Sequence, residues 1–186
     1  MWNRELLDAT RVAEAPQLTR VAIGLDPSGT KRGDVAGIVA VGIDAKRELH
    51  VLADHSGRMS PEGWARKAVS AYHAHSASFI VAETNFGSEM VVQMIRQVDP
   101  RVPVKTVHAS RGKAIRAEPI AMLFEQRKAH MVGVLADLET ELCTWEPGGS
   151  GPSPGRLDAM VWGATELTAG AHGKPSRWVR FDWVSR

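Results

Sequence analysis

Two short runs of apolar residues, each ending on a carboxylate, limit most strongly what this chain can fold into. They are VAIGLD at 21–26 and FIVAE at 79–83. Neither run alternates polar and apolar residues, which is typical of strands that are covered on both faces. Such strands need helices above and below their sheet. The runs therefore predict a helix-covered sheet that carries Asp26 and Glu83 where two strands end.

The order of the remaining segments extends this prediction. Strand-like runs at 21–26, 35–43 and 48–54 are joined by short connections, which predicts an antiparallel meander. Helices and strands then alternate. We predict helices opening at Ser60 and spanning 88–98, 113–126, 133–143 and 157–167, and strands at 79–83 and 102–107. The predicted fold is α/β, with a mixed sheet that has helices on both faces.

Composition narrows the class of protein. The 186 residues suit one domain that buries roughly 70% of the surface of its unfolded chain. No apolar run reaches the ~20 residues that span a bilayer, and the amino-terminal segment does not resemble a signal peptide. Cys143 is the only cysteine, which excludes an internal disulfide and a thiolate zinc cluster. We therefore expect a cytoplasmic protein without membrane contact; its net charge of +2 is compatible with nucleic acid but does not indicate it.

Three acids occupy positions where functional residues are often found. Asp26 and Glu83 meet if their strands are parallel neighbours, and Asp158 lies in the first turn of the last predicted helix. Two unit charges about 4 Å apart repel by roughly 4 kcal/mol at an effective dielectric constant near 20. Oxygen ligands of this kind suit Mg²⁺ or Mn²⁺, and two such ions could hydrolyse a phosphodiester. The pattern indicates nuclease chemistry.

Each acid also has a structural explanation. Asp26 opens the turn DPSG at 26–29, Glu83 could cap a helix that starts near Phe86, and Asp158 could be an ordinary first-turn acid. Taken singly, none of the three decides between the two interpretations.

Four blocks together resemble the large terminase subunit of tailed phages, and its prophage and gene-transfer-agent versions. They are GLDPSGTKRGDVAGIVAVG, FIVAETNFGSEMV, KAIRAEPIAMLFEQRKAHMVG and LETELCTWEPGGSGPSPGRLDAMVWGATEL. The similarity is to the carboxy-terminal nuclease domain and covers about residues 20–168. The last block, with Trp145, a Gly/Pro/Ser-rich loop and RLDA at 156–159, is its most specific part.

This resemblance implies a ribonuclease H-like fold and a metal-dependent endonuclease that cuts concatemeric double-stranded DNA during genome packaging. It implies that Asp26, Glu83 and Asp158 are catalytic and bind Mg²⁺ or Mn²⁺, as two ions. It also implies a bacterial host cytoplasm and, in the full protein, an ATPase domain, a small terminase subunit and a portal. We expect 1–19 to be a lead-in or linker remnant, 20–170 the nuclease domain, and 171–186 a peripheral tail.

The chain lacks the phosphate-binding pattern of the packaging ATPase. Its nearest approach is RGKA at 111–114, which lacks the first glycine and the hydroxyl residue. We therefore interpret the chain as an isolated nuclease domain and do not predict ATP hydrolysis.

Basic residues near the predicted acids are candidates for DNA phosphate contacts. Arg111, Lys113 and Arg116 lie at a strand-to-helix junction, and Lys31 and Arg32 lie in the turn after Asp26. A solvated basic face explains them equally well from residues alone. Trp145 and Trp162 are interpreted as core or loop anchors.

Other functions remain open at this point. An actin-like ATPase needs two lobes, for which this chain is too short. Another ribonuclease H-like nuclease, such as a resolvase or integrase, would use the same three acids. A DNA-binding packaging module that does not cleave is the non-enzymatic alternative.

Overall fold

The structure is a computed structural model that describes residues 1–27, 35–84, 88–108, 112–149, 153–169 and 177–178, with the backbone alone at 88, 177 and 178. Its helices are α1 (Arg4–Ala9), α2 (Pro61–Ala74), α3 (Ser88–Val98), α4 (Lys113–Glu125), α5 (Ala136–Thr144) and α6 (Gly155–Thr168). Its strands are β1 (Leu18–Asp26), β2 (Gly37–Asp44), β3 (Leu49–Asp54), β4 (Phe79–Glu83), β5 (Val104–Val107), β6 (Ala129–Met131) and β7 (Arg177–Trp178).

The strands form one mixed sheet in the order β6-β3-β2-β1-β4-β5-β7. The first three strands pair antiparallel, β4 and β5 run parallel to β1, and β6 runs parallel to β3. This confirms the predicted meander followed by parallel strands. Strand β7 pairs antiparallel with β5.

Several boundaries differ from the sequence-based prediction. The predicted helix at 133–143 begins only at Ala136, and Gly133 adopts φ +66°, a left-handed conformation that a helix cannot continue through. The predicted strand at 102–107 begins at Val104, after Pro103, which has no N–H for the ladder. Strands β6 and β7 were not predicted, because three and two residues are too few to show a period.

Alternate residues of the central strands face two different cores. On one face, Ile23 and Ile80 are fully buried with Trp64 of α2 and Ile95 of α3. On the other face, Val39, Val41, Phe79 and Val81 are buried with apolar residues of α1, α4, α5 and α6. Helices on both faces explain why the strands lack polar alternation, and they confirm that prediction.

The α6 backbone lies directly against the sheet because glycines face each other there. A Cβ atom added at Gly24 of β1 would lie 1.8 Å from the Ala159 carbonyl oxygen, and one at Gly37 of β2 would lie 1.8 Å from that of Gly155. Side chains at these positions would push the helix away. This close approach brings the first turn of α6 to the end of β1.

The amino-terminal segment takes part in the core. Trp2 and Leu7 are buried, and the Trp2 ring meets Phe124 of α4 edge-on at 6.4 Å. Arg11 pairs with the fully buried Glu139 of α5 at 2.7 Å, and Arg4 contacts the same carboxylate. Among the described residues, no helix combines the length and apolar character that crossing a membrane requires.

Candidate active site

The three predicted acids meet at one end of the sheet. Asp26 ends β1 and Glu83 ends β4, and these strands are parallel neighbours whose register places Leu25 opposite Ala82. Asp158 lies in the first turn of α6. One carboxylate oxygen of each acid lies within 4.8 Å of the others. The convergence expected from the strand ends is therefore present.

Burial makes this cluster unfavourable for three full negative charges. Asp158 is only 2% exposed. Burial raises the pKa of Asp26 well above its usual value, and the charges of Asp158 and Glu83 raise it further. Lys113 and Arg116 offset part of this effect. The site thus favours either a proton on Asp26 or additional positive charge.

Two basic side chains of α4 contact Asp158. The Arg116 guanidinium lies 3.0 Å from Asp158 Oδ1, and the Lys113 ammonium contacts Asp158 Oδ2. Lys113 also donates a hydrogen bond to Ser153 Oγ at 2.8 Å. Both residues were candidates for DNA contact. The other three candidates, Lys31, Arg32 and Arg111, lie outside the described residues.

Trp162 holds Glu83 in place, a role that the sequence analysis missed. Its indole Nε1–H donates a hydrogen bond to Glu83 Oε2 at 2.7 Å, and the Arg116 guanidinium stacks 4.5 Å from the indole ring. Trp162 is also buried, as its interpretation as an anchor requires. The sequence does contain one indication that Trp162 lies near the site. Trp162 follows Asp158 by four residues and therefore shares its helix face.

Asp54, the last residue of β3, belongs to a separate network. Arg156 donates to Asp54 at 2.9 Å and to Asp137 at 3.1 Å, and it lies 3.7 Å from Glu141. This ion-pair network anchors the start of α6 to β3 and α5.

A groove of about 890 Å³ opens beside the basic end of the cluster. The start of α4 and the segment after α5 line it, with Lys113, Ile115, Trp145 and Pro147 among the lining residues. Lys113 therefore faces both the acids and the groove.

The donor set fits a small divalent cation. Oxygen ligands about 2.1 Å from Mg²⁺ lie about 3 Å apart when adjacent and about 4.2 Å apart when opposite. The three acids, with ligand atoms within 4.8 Å of one another, need only a small contraction to reach such distances. Nitrogen and sulfur ligands, which softer metals prefer, do not take part in this group of three.

Comparison with known proteins decides the family. Residues 23–163 match the family model described as the terminase RNaseH-like domain. The chain belongs to this family. The resemblance inferred from the sequence blocks is thereby confirmed. No curated protein matches the chain by sequence.

Solved structures agree with this assignment of the fold. The human cytomegalovirus terminase nuclease domain, soaked with Mn and with inhibitor bound, has a TM-score of 0.67 and 18% identity over 91% of this chain and 94% of that one. The nuclease domain of the large terminase subunit of bacterial virus Sf6 has a TM-score of 0.65 and 16% identity, and the match covers 87% of this chain and 96% of that one. RuvC of Thermus thermophilus has a TM-score of 0.50 and 15% identity, and the match covers 86% of this chain and 99% of that one. The ribonuclease H-like fold is confirmed.

Proposed function

We propose that this terminase RNaseH-like domain is a metal-dependent endonuclease that hydrolyses phosphodiester bonds of double-stranded DNA. The observation that carries the proposal is the meeting of Asp26, Glu83 and Asp158 within 4.8 Å in a buried setting. The acids lie where the carboxyl ends of parallel strands meet, which is where α/β sheets place functional groups. The names of the related structures, which are nuclease domains of viral and phage terminases, support the activity.

The three acids would hold Mg²⁺ or Mn²⁺, and we propose two ions. A related domain was studied after soaking with Mn, which supports this class of metal. The chemistry that such ions supply is activation of a water for attack and stabilisation of the leaving oxygen. The protein's own contribution is to hold three carboxylates close together at a fixed position.

Neighbouring residues fix this arrangement. The indole N–H of Trp162 orients the Glu83 carboxylate, and Arg116 orients Asp158 while stacking on the Trp162 ring. The Arg116 side chain is only 10% exposed, so we assign it a positioning role. The Lys113 side chain is 35% exposed and borders the groove, so it is the described cation best placed to meet a DNA phosphate.

The biological setting that we propose is phage genome packaging. The substrate would be concatemeric DNA, and the partners would be a packaging ATPase domain, a small terminase subunit and a portal. The reaction would take place in the cytoplasm of the bacterial host. These assignments rest on the family to which the domain belongs.

A plasmid assay tests the proposal. Supercoiled plasmid is incubated with the protein across a titration of Mg²⁺ and of Mn²⁺, with EDTA as the blank. Nicked and linear products that require metal and disappear in the Asp26→Asn variant are expected. Intact plasmid at every metal concentration, together with a gel shift, would favour a DNA-binding module that does not cleave.

The salt dependence of DNA binding gives a second readout. Phosphate contacts dominate in the proposal, so affinity should fall steeply between ~50 and ~200 mM salt and show little sequence preference. Affinity that is the same at both salt concentrations would contradict the proposed mode of binding.

A further inference from the structure

A second group of potential ligands lies at the opposite end of the sheet. Asp44 ends β2, Glu48 lies in the turn that follows, and His50 lies in β3; their ligand atoms are all within 4.8 Å of one another. The ends are opposite because Asp44 pairs with Leu18 at the start of β1, whereas Asp26 lies at its end. This group is therefore separate from the three acids described above.

The His50 side chain is buried without a satisfied ring nitrogen. It is 3% exposed, and among the described residues neither Nδ1 nor Nε2 forms a hydrogen bond. Its Nε2 lies 3.5 Å from Asp44 Oδ2, which is longer than a hydrogen bond to an imidazole nitrogen. Buried polar atoms are nearly always paired, so an imidazole left in this way calls for a ligand.

His130 of β6 adds a fourth donor beside this group. It is the register partner of His50, and the two rings stack with centroids 5.1 Å apart. Its Nδ1 lies 3.0 Å from the Thr10 carbonyl oxygen, an acceptor, so Nδ1 carries the hydrogen. Its Nε2 lies 3.2 Å from Glu48 Oε2, beside the group of three. A metal ion bound by Glu48 would therefore have a second imidazole nitrogen close by.

The surrounding contacts resemble the outer shell of a metal site. Histidines that bind metals usually donate their second ring N–H to a carbonyl or carboxylate, as His130 does to Thr10. The Glu48 backbone N–H donates to Asp44 Oδ1 at 2.9 Å, which orients that carboxylate with Oδ2 towards His50. Within the described part of the chain, no lysine or arginine forms an ion pair with Asp44 or Glu48.

We propose that Asp44, Glu48, His50 and His130 form a binding site for a zinc-type transition-metal ion. Two imidazoles and two carboxylates match the donors that Zn²⁺ accepts in tetrahedral sites, and imidazole disfavours Mg²⁺ as the resident ion. Two carboxylates balance the charge of one divalent ion. Four protein ligands leave no position for a substrate, so the ion is structural. It joins β2 and β3 to β6, a strand of only three residues.

Calorimetric titration with ZnCl₂ tests this proposal. The protein is first stripped of metal, and it carries Asp26→Asn and Asp158→Asn so that the acids at the other end do not contribute. We expect one equivalent of Zn²⁺ to bind and to raise the melting temperature. Co²⁺ in its place should give the strong visible absorption bands of a four-coordinate site.

Variants assign the binding to these residues. Glu48→Gln and His130→Gln, each on the same background, should weaken Zn²⁺ binding at least about tenfold. Both side chains are partly exposed, at 32% and 16%, so we expect these variants to fold. His75→Gln is the matched control, because His75 contacts His55 at 2.9 Å away from this group. It should bind Zn²⁺ like the background protein.

Three results would overturn the proposal. The first is no Zn²⁺ binding by the background protein. The second is unchanged binding in Glu48→Gln, which alone decides the matter if His130→Gln does not fold. The third is loss of binding in His75→Gln, which would place the ion at the His55–His75 pair. Because plasmid cleavage is not the readout, these results are independent of the proposed nuclease activity.

Discussion

The two ends of the central sheet both gather carboxylates, but different groups stand beside them. At the end formed by Asp26, Glu83 and Asp158, the neighbours are the cationic side chains of Lys113 and Arg116. At the end formed by Asp44 and Glu48, the neighbours are the imidazoles of His50 and His130. The first end offers oxygen alone, and the second offers oxygen and nitrogen.

This difference distinguishes a site where ions and phosphates come and go from a site that holds one ion permanently. Lys113 and Arg116 supply two positive charges to three acids, so the acid end is partly neutralised before any ion or phosphate arrives. A cation there competes with these side chains, and its affinity should depend on the substrate. At the imidazole end, no lysine or arginine among the described residues forms an ion pair with the carboxylates, so this end should bind its ion without DNA. Four variants test this contrast.

Removing one acid should have the largest effect. We expect Asp158→Asn to lower plasmid cleavage at least about 1000-fold, which corresponds to roughly 4 kcal/mol of lost transition-state stabilisation. The reason is that an amide replaces a charged oxygen ligand. Asp137→Asn is the matched control, because Asp137 is 78% exposed and pairs with Arg156 instead. Equal cleavage rates in the two variants would show that Asp158 is not a ligand of the catalytic metal.

Disturbing the close approach of α6 to β1 should have the second largest effect. Gly24→Ala places a Cβ atom 1.8 Å from the Ala159 carbonyl oxygen, a backbone atom that cannot turn aside. We expect the free energy of unfolding to fall by about 3 kcal/mol, and cleavage to fall as Asp158 moves away from Asp26. Urea denaturation measures the first effect.

Gly57→Ala is the control for this substitution. A Cβ atom at Gly57 would meet only the end of the Met59 side chain at 3.7 Å, an ordinary contact. Its stability should stay within about 0.5 kcal/mol of the wild type. If Gly24→Ala is as stable as Gly57→Ala, the stability of the protein does not depend on the close packing of α6 on β1.

The acid end was predictable from the sequence because short-range rules determine it. Unbroken apolar runs predicted buried strands, and strands that end on acids place them at one edge if they are parallel neighbours. Asp158 followed from the start of a helix that has apolar residues along its length. The resemblance of RLDA at 156–159 to a family motif then linked the three residues.

The imidazole end was not predictable in this way. His50 and His130 meet only because β6 pairs with β3, and a three-residue strand shows no period in the sequence. The hydrogen bond from Trp162 to Glu83 likewise depends on how α6 lies across the sheet. Pairing between distant segments is a tertiary property, so the sequence did not identify the partner in either contact: spacing placed Trp162 on the helix face of Asp158 but did not point to Glu83.

A smaller effect is expected where a residue acts through another. Trp162→Phe keeps a ring for Arg116 to stack on but removes the N–H that binds Glu83. Hydrogen bonds to charged groups contribute about 1.5–3 kcal/mol, so we expect cleavage to fall at least about tenfold. Mn²⁺ affinity should fall too, whereas Zn²⁺ affinity at the imidazole end should not. Calorimetry with each metal distinguishes this positioning role from a general loss of structure.

The smallest effect concerns stability without metal. Burial and the neighbouring acids raise the pKa of Asp26, so the folded protein loses stability as pH rises from the ordinary value of 3.8 through the raised value. Asp26→Asn removes this loss. We expect the variant to be more stable than the wild type in EDTA at pH 7, by about 1 kcal/mol.

The pH dependence provides the check on this prediction. Below about pH 3.8 the wild-type carboxyl is protonated in both states, so the difference between the two proteins should vanish there. Thermal melts at several pH values measure it. A variant that is less stable than the wild type at pH 7 would mean that the acid cluster is not under repulsion.

A crystal of this domain soaked in Mn²⁺ and measured for anomalous scattering tests most directly whether the three acids bind a metal ion. We predict a peak bounded by the carboxylates of Asp26, Glu83 and Asp158, with the Lys113 ammonium moved away from Asp158. A map without a peak there, at a Mn²⁺ concentration that supports plasmid cleavage, would contradict the assignment of these acids as the metal site.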